Sequence, residues 1–173
     1  LDTDGRDGLR LAGRKREDVE TDGGIPVHGQ GRVGKEFVRL EVGSSYGKYR
    51  HTFAAARPGP EGSAATMTAT LPRSGPWRLE IHLPPGRDGR PYLQRFIGTW
   101  RLTVVDSSGE TEIVFDAGDA DSGWNELERM ELAEGEVQVR FRGDTAEDLV
   151  LVDAIRWTPP DGGDEIARVG AAR

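Results

Sequence analysis

Apolar side chains recur at every second position through most of this chain, and nowhere over a long stretch at the three-to-four spacing of a helix. The clearest run is Trp77 to Leu83, where Trp77, Leu79, Ile81 and Leu83 alternate with Arg78, Glu80 and His82. This is a half-buried strand, and it places His82 on the solvated outer face. Ser63 to Leu71 sets Ala65, Met67 and Ala69 against Thr66, Thr68 and Thr70, and Trp100, Leu102 and Val104 alternate with Arg101 and Thr103. Ser107-Ser108-Gly109 is a tight turn that makes a hairpin with Glu112 to Phe115. Near the end, Gly123-Trp124-Asn125 opens one strand, Glu136 to Phe141 forms a second and Leu149 to Trp157 a third. About nine or ten short strands predict an all-β fold, a two-layer antiparallel β-sandwich of jelly-roll type. Its core is expected to hold Trp77, Leu79, Ile81, Trp124, Val137, Val139, Ile155 and Trp157.

The ends read differently. Residues 1–36 form an edge strand and a charged loop of the same domain, 37–160 the sandwich core and 161–173 a tail. With 173 residues there is enough chain for one core, and two domains would each be too small. The 24 Gly and 10 Pro suit short strands joined by turns.

A net charge of -7 disfavours nucleic acid as a partner, and no basic patch with interleaved aromatics offsets it. Cysteine is absent, which excludes disulfides, thiolate metal sites and cysteine nucleophiles. No apolar run is long enough to span a membrane, and the N-terminus lacks the apolar centre of a signal peptide. The chain begins at Leu1 without an initiator Met, so the expectation is a segment of a longer exported precursor.

The closing motifs, Gly123-Trp124-Asn125 and Val152-Asp153-Ala154-Ile155-Arg156-Trp157, resemble those of the golvesin C-terminal-like, xanthan lyase-type carbohydrate-binding-like β-domain. Tyr46-Gly47-Lys48-Tyr49-Arg50 is similar to that family's entry into its first core strand. Ala64 to Thr70 follows its next pattern, with Met67 in place of the usual Trp and Ala69 in place of Pro, and Leu71 to Trp77 its turn and strand. The likeness covers about two thirds of the chain and is specific only in the last two motifs. It implies a non-catalytic accessory module of an exported bacterial protein, extracellular or periplasmic, that binds polysaccharide or another cell-surface polymer. A narrower resemblance, in the charged insertion Leu9 to Asp18, is to the C-terminal β-domain of bacterial gluzincin metallopeptidase-like proteins. That implies the alternative of a domain docked on a peptidase-like or transport-associated partner.

The residues themselves give catalysis little support. His28, His51 and His82 are far apart, and no His-Glu-x-x-His occurs. The serines sit in turns without a nucleophile elbow, so a hydrolase is unsupported. Gly29 to Gly34 fits a phosphate-binding spacing but neither follows a strand nor opens a helix. Glu126, Glu128, Glu131 and Glu134 read as outward positions rather than an acid/base pair. No cofactor is expected. Calcium is the metal considered, on Asp116, Asp119 and Asp121, or on Asp2, Asp4 and Asp7 among glycines, although such loops are more often plain turns.

Aromatic rings suit sugar faces, and Tyr46, Tyr49, Tyr92 and Trp100 are the candidates for a stacking platform. Tyr92 lies on a polar loop and is expected to be exposed, with Arg87, Asp88, Arg90 and Gln94 beside it to hydrogen-bond hydroxyls. Asp153 falls among apolar neighbours, so if buried it must accept hydrogen bonds or pair with a cation such as Arg50 or Arg156.

Overall fold

The structure is a computed structural model that describes residues 9–11, 25–27, 31–46, 51–86 and 88–160. The expectations for Arg87, His28, Tyr49, Arg50, Gly29, the aspartates of the first eight residues and the 161–173 tail lie outside these residues.

Period-two alternation becomes antiparallel strands, and the apolar sets of two layers meet in one core. The first layer is a five-stranded sheet in the order β1 (Leu9–Leu11), β6 (Ala65–Leu71), β11 (Gly135–Gly143), β8 (Thr99–Asp106) and β9 (Gly109–Asp116). It contributes Met67, Leu71, Trp100, Leu102, Val137, Val139 and Phe141, all buried. The second layer comprises two three-stranded sheets. One has the order β10 (Gly123–Leu132), β7 (Gly75–Leu83), β13 (Ala154–Thr158), and the other β12 (Val150–Val152), β5 (Thr52–Ala56), β4 (Val38–Glu41). Trp77, Leu79, Ile81, Ile155 and Trp157 bury their side chains from the first of these, Phe53 and Leu40 from the second. A short hairpin of β2 (Ile25–Val27) and β3 (Gly31–Val33) adds Ile25, Val27 and Val33 to the same core. Apart from a single 3-10 turn at Gln94–Phe96, the regular elements among the described residues are all β-strands. The fold is the antiparallel β-sandwich that the alternation predicts.

Turn chemistry fits. The β8–β9 hairpin closes at Asp106, whose Oδ1 accepts from the Ser108 and Gly109 backbone N–H groups and whose Oδ2 accepts from the N–H of Ala133. Those bonds, that of Ala133 first, hold the carboxyl below its ordinary range. The edge strand β9 exposes Val114, 62% accessible, between the exposed Glu112 and Asp116 on the same face, the charged decoration that discourages pairing with another chain.

Two readings are corrected. The run from Leu149 to Trp157 is not one strand: β12 pairs with β5 and β13 with β7, and the chain changes sheet at Asp153. Trp124 is not in the core, because its register opposite His82 puts it on the outer face of the β10–β7–β13 sheet.

Trp157 is 2% exposed, and replacing it by Ala should cost about 3–5 kcal/mol through the cavity left behind. Chemical denaturation measures this, and an unchanged midpoint would mean the ring is not packed as described.

Candidate functional site

The outer face of the β10–β7–β13 sheet carries a polar ladder that ends in aromatic rings. Cross-strand register brings Trp124, His82 and Ala154 into one row, and Glu126, Glu80 and Arg156 into the next. Gly123, at φ 89, turns the chain into β10 with a backbone that favours glycine, and so fixes where Trp124 emerges.

The row at the sheet end is capped by Tyr46 from the loop after β4. Three rings meet there: Tyr46 to Trp124 at 5.0 Å between centroids, Tyr46 to His82 at 5.3 Å and His82 to Trp124 at 5.3 Å, tilted or edge-to-face. Tyr46 keeps 47% of its surface accessible and Trp124 is partly exposed, while His82 beneath them is 8% exposed. The expectation of a solvated His82 therefore fails: the histidine does lie on the outer face, but its neighbours cover it. Trp124 is further fixed by Arg156, whose guanidinium lies 4.4 Å from the ring centroid.

Below the rings sits Asp153, fully buried. Its two oxygens accept from the Tyr46 backbone N–H at 3.1 and 2.9 Å, and Oδ2 lies 2.7 Å from Nδ1 of His82. With the carboxylate ionised, the shared hydrogen is on Nδ1. Arg156 is not the partner of Asp153, as one expectation had it. It forms a two-pronged pair with Glu80 instead, Nε to Oε2 at 2.7 Å and Nη2 to Oε1 at 2.6 Å, with Thr158 and Arg78 adding to the same carboxylate. The Arg156 hydrogen bond, ahead of its charge, holds the Glu80 carboxyl below the usual range.

The second region is the loop from Pro84 to Arg95. Gly86, Asp88, Arg90, Pro91, Tyr92, Leu93, Gln94, Arg95 and Gly118 line an open groove of about 690 Å³. Four residues named from the sequence, Asp88, Arg90, Tyr92 and Gln94, are together in it. Their surroundings differ from the expectation. Tyr92 is half-buried, not exposed, since its ring packs edge-on against Phe53 at 5.8 Å. Gln94 spends its amide on the Gly118 carbonyl at 3.1 Å, and Asp88 accepts from the Arg90 backbone N–H at 3.3 Å.

Trp100, the other ring considered for stacking, is fully buried and donates its indole N–H to Leu149 O at 2.8 Å. Asp116, Asp119 and Asp121 are each exposed, and among the described residues no three His, Cys, Asp or Glu side chains are grouped to hold a metal ion. The loop aspartates point to water because nothing gathers them.

No family model and no curated protein matches the chain. Solved structures do. A xanthan lyase from Paenibacillus superposes with a TM-score of 0.53 at 16% identity over 70% of this chain, which spans 11% of that enzyme's chain. Weaker superpositions relate it to a CBM35 from Cellvibrio japonicus (TM-score 0.47, 16% identity, 79% of this chain and 100% of that one). A Podospora anserina GH26-CBM35 β-(1,4)-mannanase gives 0.42 and 16%, over 90% of this chain and 29% of that one. At such identities the likeness to the xanthan lyase is one of fold.

Because its folded value is depressed, Glu80 contributes stability that is fully present above the ordinary glutamate value of about 4.3 and is lost as pH falls through the folded one. Glu80→Gln should therefore cost about 2 kcal/mol at neutral pH, and this difference should shrink at an acidic pH below the folded value of the carboxyl. Urea unfolding of both proteins at the two pH values measures it. A difference independent of pH would show that the ion pair contributes no linkage.

Proposed function

We propose that this chain is a non-catalytic accessory module that binds polysaccharide through the Tyr46–Trp124 pair. The observation that carries the reading is the pair itself: two partly exposed rings, held at 5.0 Å by a buried histidine and carboxylate below and an arginine beside them. Sugar rings present apolar C–H faces and hydroxyl edges, so a rigid aromatic surface with polar groups close by suits them. Prior fixing of the rings means that little side-chain entropy is lost on binding. The fold supports the same reading, because the xanthan lyase that shares it is an enzyme named for a polysaccharide.

A catalytic role has nothing comparable behind it. The His82–Asp153 pair could orient a base, but Tyr46 and Trp124 cover it, and no serine hydroxyl among the described residues is bonded to His82. Docking on a peptidase-like or transport-associated partner would be favoured by a broad apolar patch. Tyr46 and Val114 are the exposed large apolar side chains among the described residues, and they do not form one. The resemblance to golvesin-like domains fits export, to an extracellular or periplasmic site.

The test is binding of the purified chain to immobilised cello-, manno-, xylo- and gluco-oligosaccharides. Tyr46→Ala and Trp124→Ala should each weaken binding by about tenfold or more, the equivalent of one lost stacking contact. Tyr46→Ala should change stability by about 1 kcal/mol or less, because the ring is half in water. Binding undiminished in both variants would contradict the proposal.

A further inference from the structure

The aromatic pair and the groove of the Pro84–Arg95 loop belong to one rim. Ser44, two residues before Tyr46, donates its hydroxyl to Pro85 O at 2.6 Å. Ser122, two residues before Trp124, donates to Gly89 O at 2.6 Å. Both segments that present the rings are thus bonded to the loop that lines the groove. The loop is closed on itself as well, by Gly86 N–H to Arg90 O at 2.6 Å and Tyr92 N–H to Pro84 O at 2.7 Å. Leu93 takes a left-handed backbone at φ 61, which a leucine adopts only where its surroundings hold it, and the next residue, Gln94, reaches across to Gly118.

We infer that the ligand is an internal stretch of a polysaccharide several sugars long, with one sugar on the Tyr46–Trp124 pair and the following sugars along the Pro84–Arg95 groove. This rests on the carbohydrate reading above. The groove's size falls within the ~300–1,000 Å³ usual for ligand sites. Its walls also have the right mixed chemistry, with Pro91, Tyr92 and Leu93 apolar, and Arg90, together with the Gln94 amide hydrogen that Gly118 does not take, able to donate to hydroxyls. A terminal sugar alone would use the rings and leave the groove idle.

Isothermal titration of the 173-residue chain with the disaccharide and hexasaccharide of whichever oligosaccharide series it binds tests this. The hexasaccharide should bind about tenfold tighter or more. Arg90→Ala should remove about tenfold from hexasaccharide affinity, one charged hydrogen bond's worth, and weaken the disaccharide, which reaches only the first position of the groove, by less. Gln94→Ala should act in the same direction, with thermal melting confirming that the loop still folds. The gain that a longer chain makes merely by offering more registers would survive both substitutions, so a hexasaccharide advantage unaffected by them overturns the inference. Equal affinity for the two lengths overturns it too, with the Tyr46–Trp124 proposal intact. Failure to bind any sugar overturns both.

Discussion

A carboxylate buried in the middle of an apolar run governs this end of the molecule. Asp153 has no solvent exposure, and a buried charge without donors is worth several kcal/mol of destabilisation. It therefore has to draw hydrogen-bond donors to itself, and those it draws set the geometry of the surface. The Tyr46 N–H comes from a loop more than a hundred residues earlier, and His82 comes from the neighbouring strand β7. One residue thus ties the loop after β4 to the sheet, at the point where the chain leaves one three-stranded sheet for the other. Tyr46 reaches Trp124 because its backbone is held there.

The charged rows beside the rings do a related task. Arg156 is shared between Glu80 and the face of Trp124, so the ion pair that neutralises the sheet's outer surface also fixes the ring. Glu126 takes hydrogen bonds from Arg129, which hold its carboxyl below the ordinary range, and it also lies near Arg78. An aromatic pair on such a surface is apolar area surrounded by satisfied charge. That explains how it can stay exposed without inviting unspecific association.

The fold was legible in the chain because alternation with period two has one good solution for each strand. Trp77, Leu79 and Ile81 went inward, and the Ser107-Ser108-Gly109 turn joined its two strands, on local pattern alone. The aromatic site was legible only in part. Tyr46 is among the rings the sequence offers for stacking, but the apolar alternation around Trp124 assigns that ring to the core. The signal against that was present: Trp124 shares its side of the strand with Glu126, as His82 shares its own with Arg78 and Glu80. Alternation gives the face, yet not what covers it, and only the long-range bond from Tyr46 to Asp153 decides that His82 is buried while Trp124 is not. The break at Asp153 was hidden for a similar reason. In LVLVDAIRW a lone aspartate can be a flaw in one strand or the corner between two, and the partners that decide lie far away in sequence. The polar loop around Tyr92 suggests an exposed ring because local composition says nothing about Phe53 packing against it.

The four tryptophans allow one measurement to test the central claim directly. Trp77, Trp100 and Trp157 are buried, whereas Trp124 is partly exposed, and in the present account only Trp124 touches ligand. Indole N–H resonances of the ¹⁵N-labelled chain can be followed as a binding oligosaccharide is added. The account predicts that the Trp124 signal shifts with saturation while the other three stay in place. A silent Trp124 in a chain that nonetheless binds sugar would contradict it, and would move the site off this face of the sandwich.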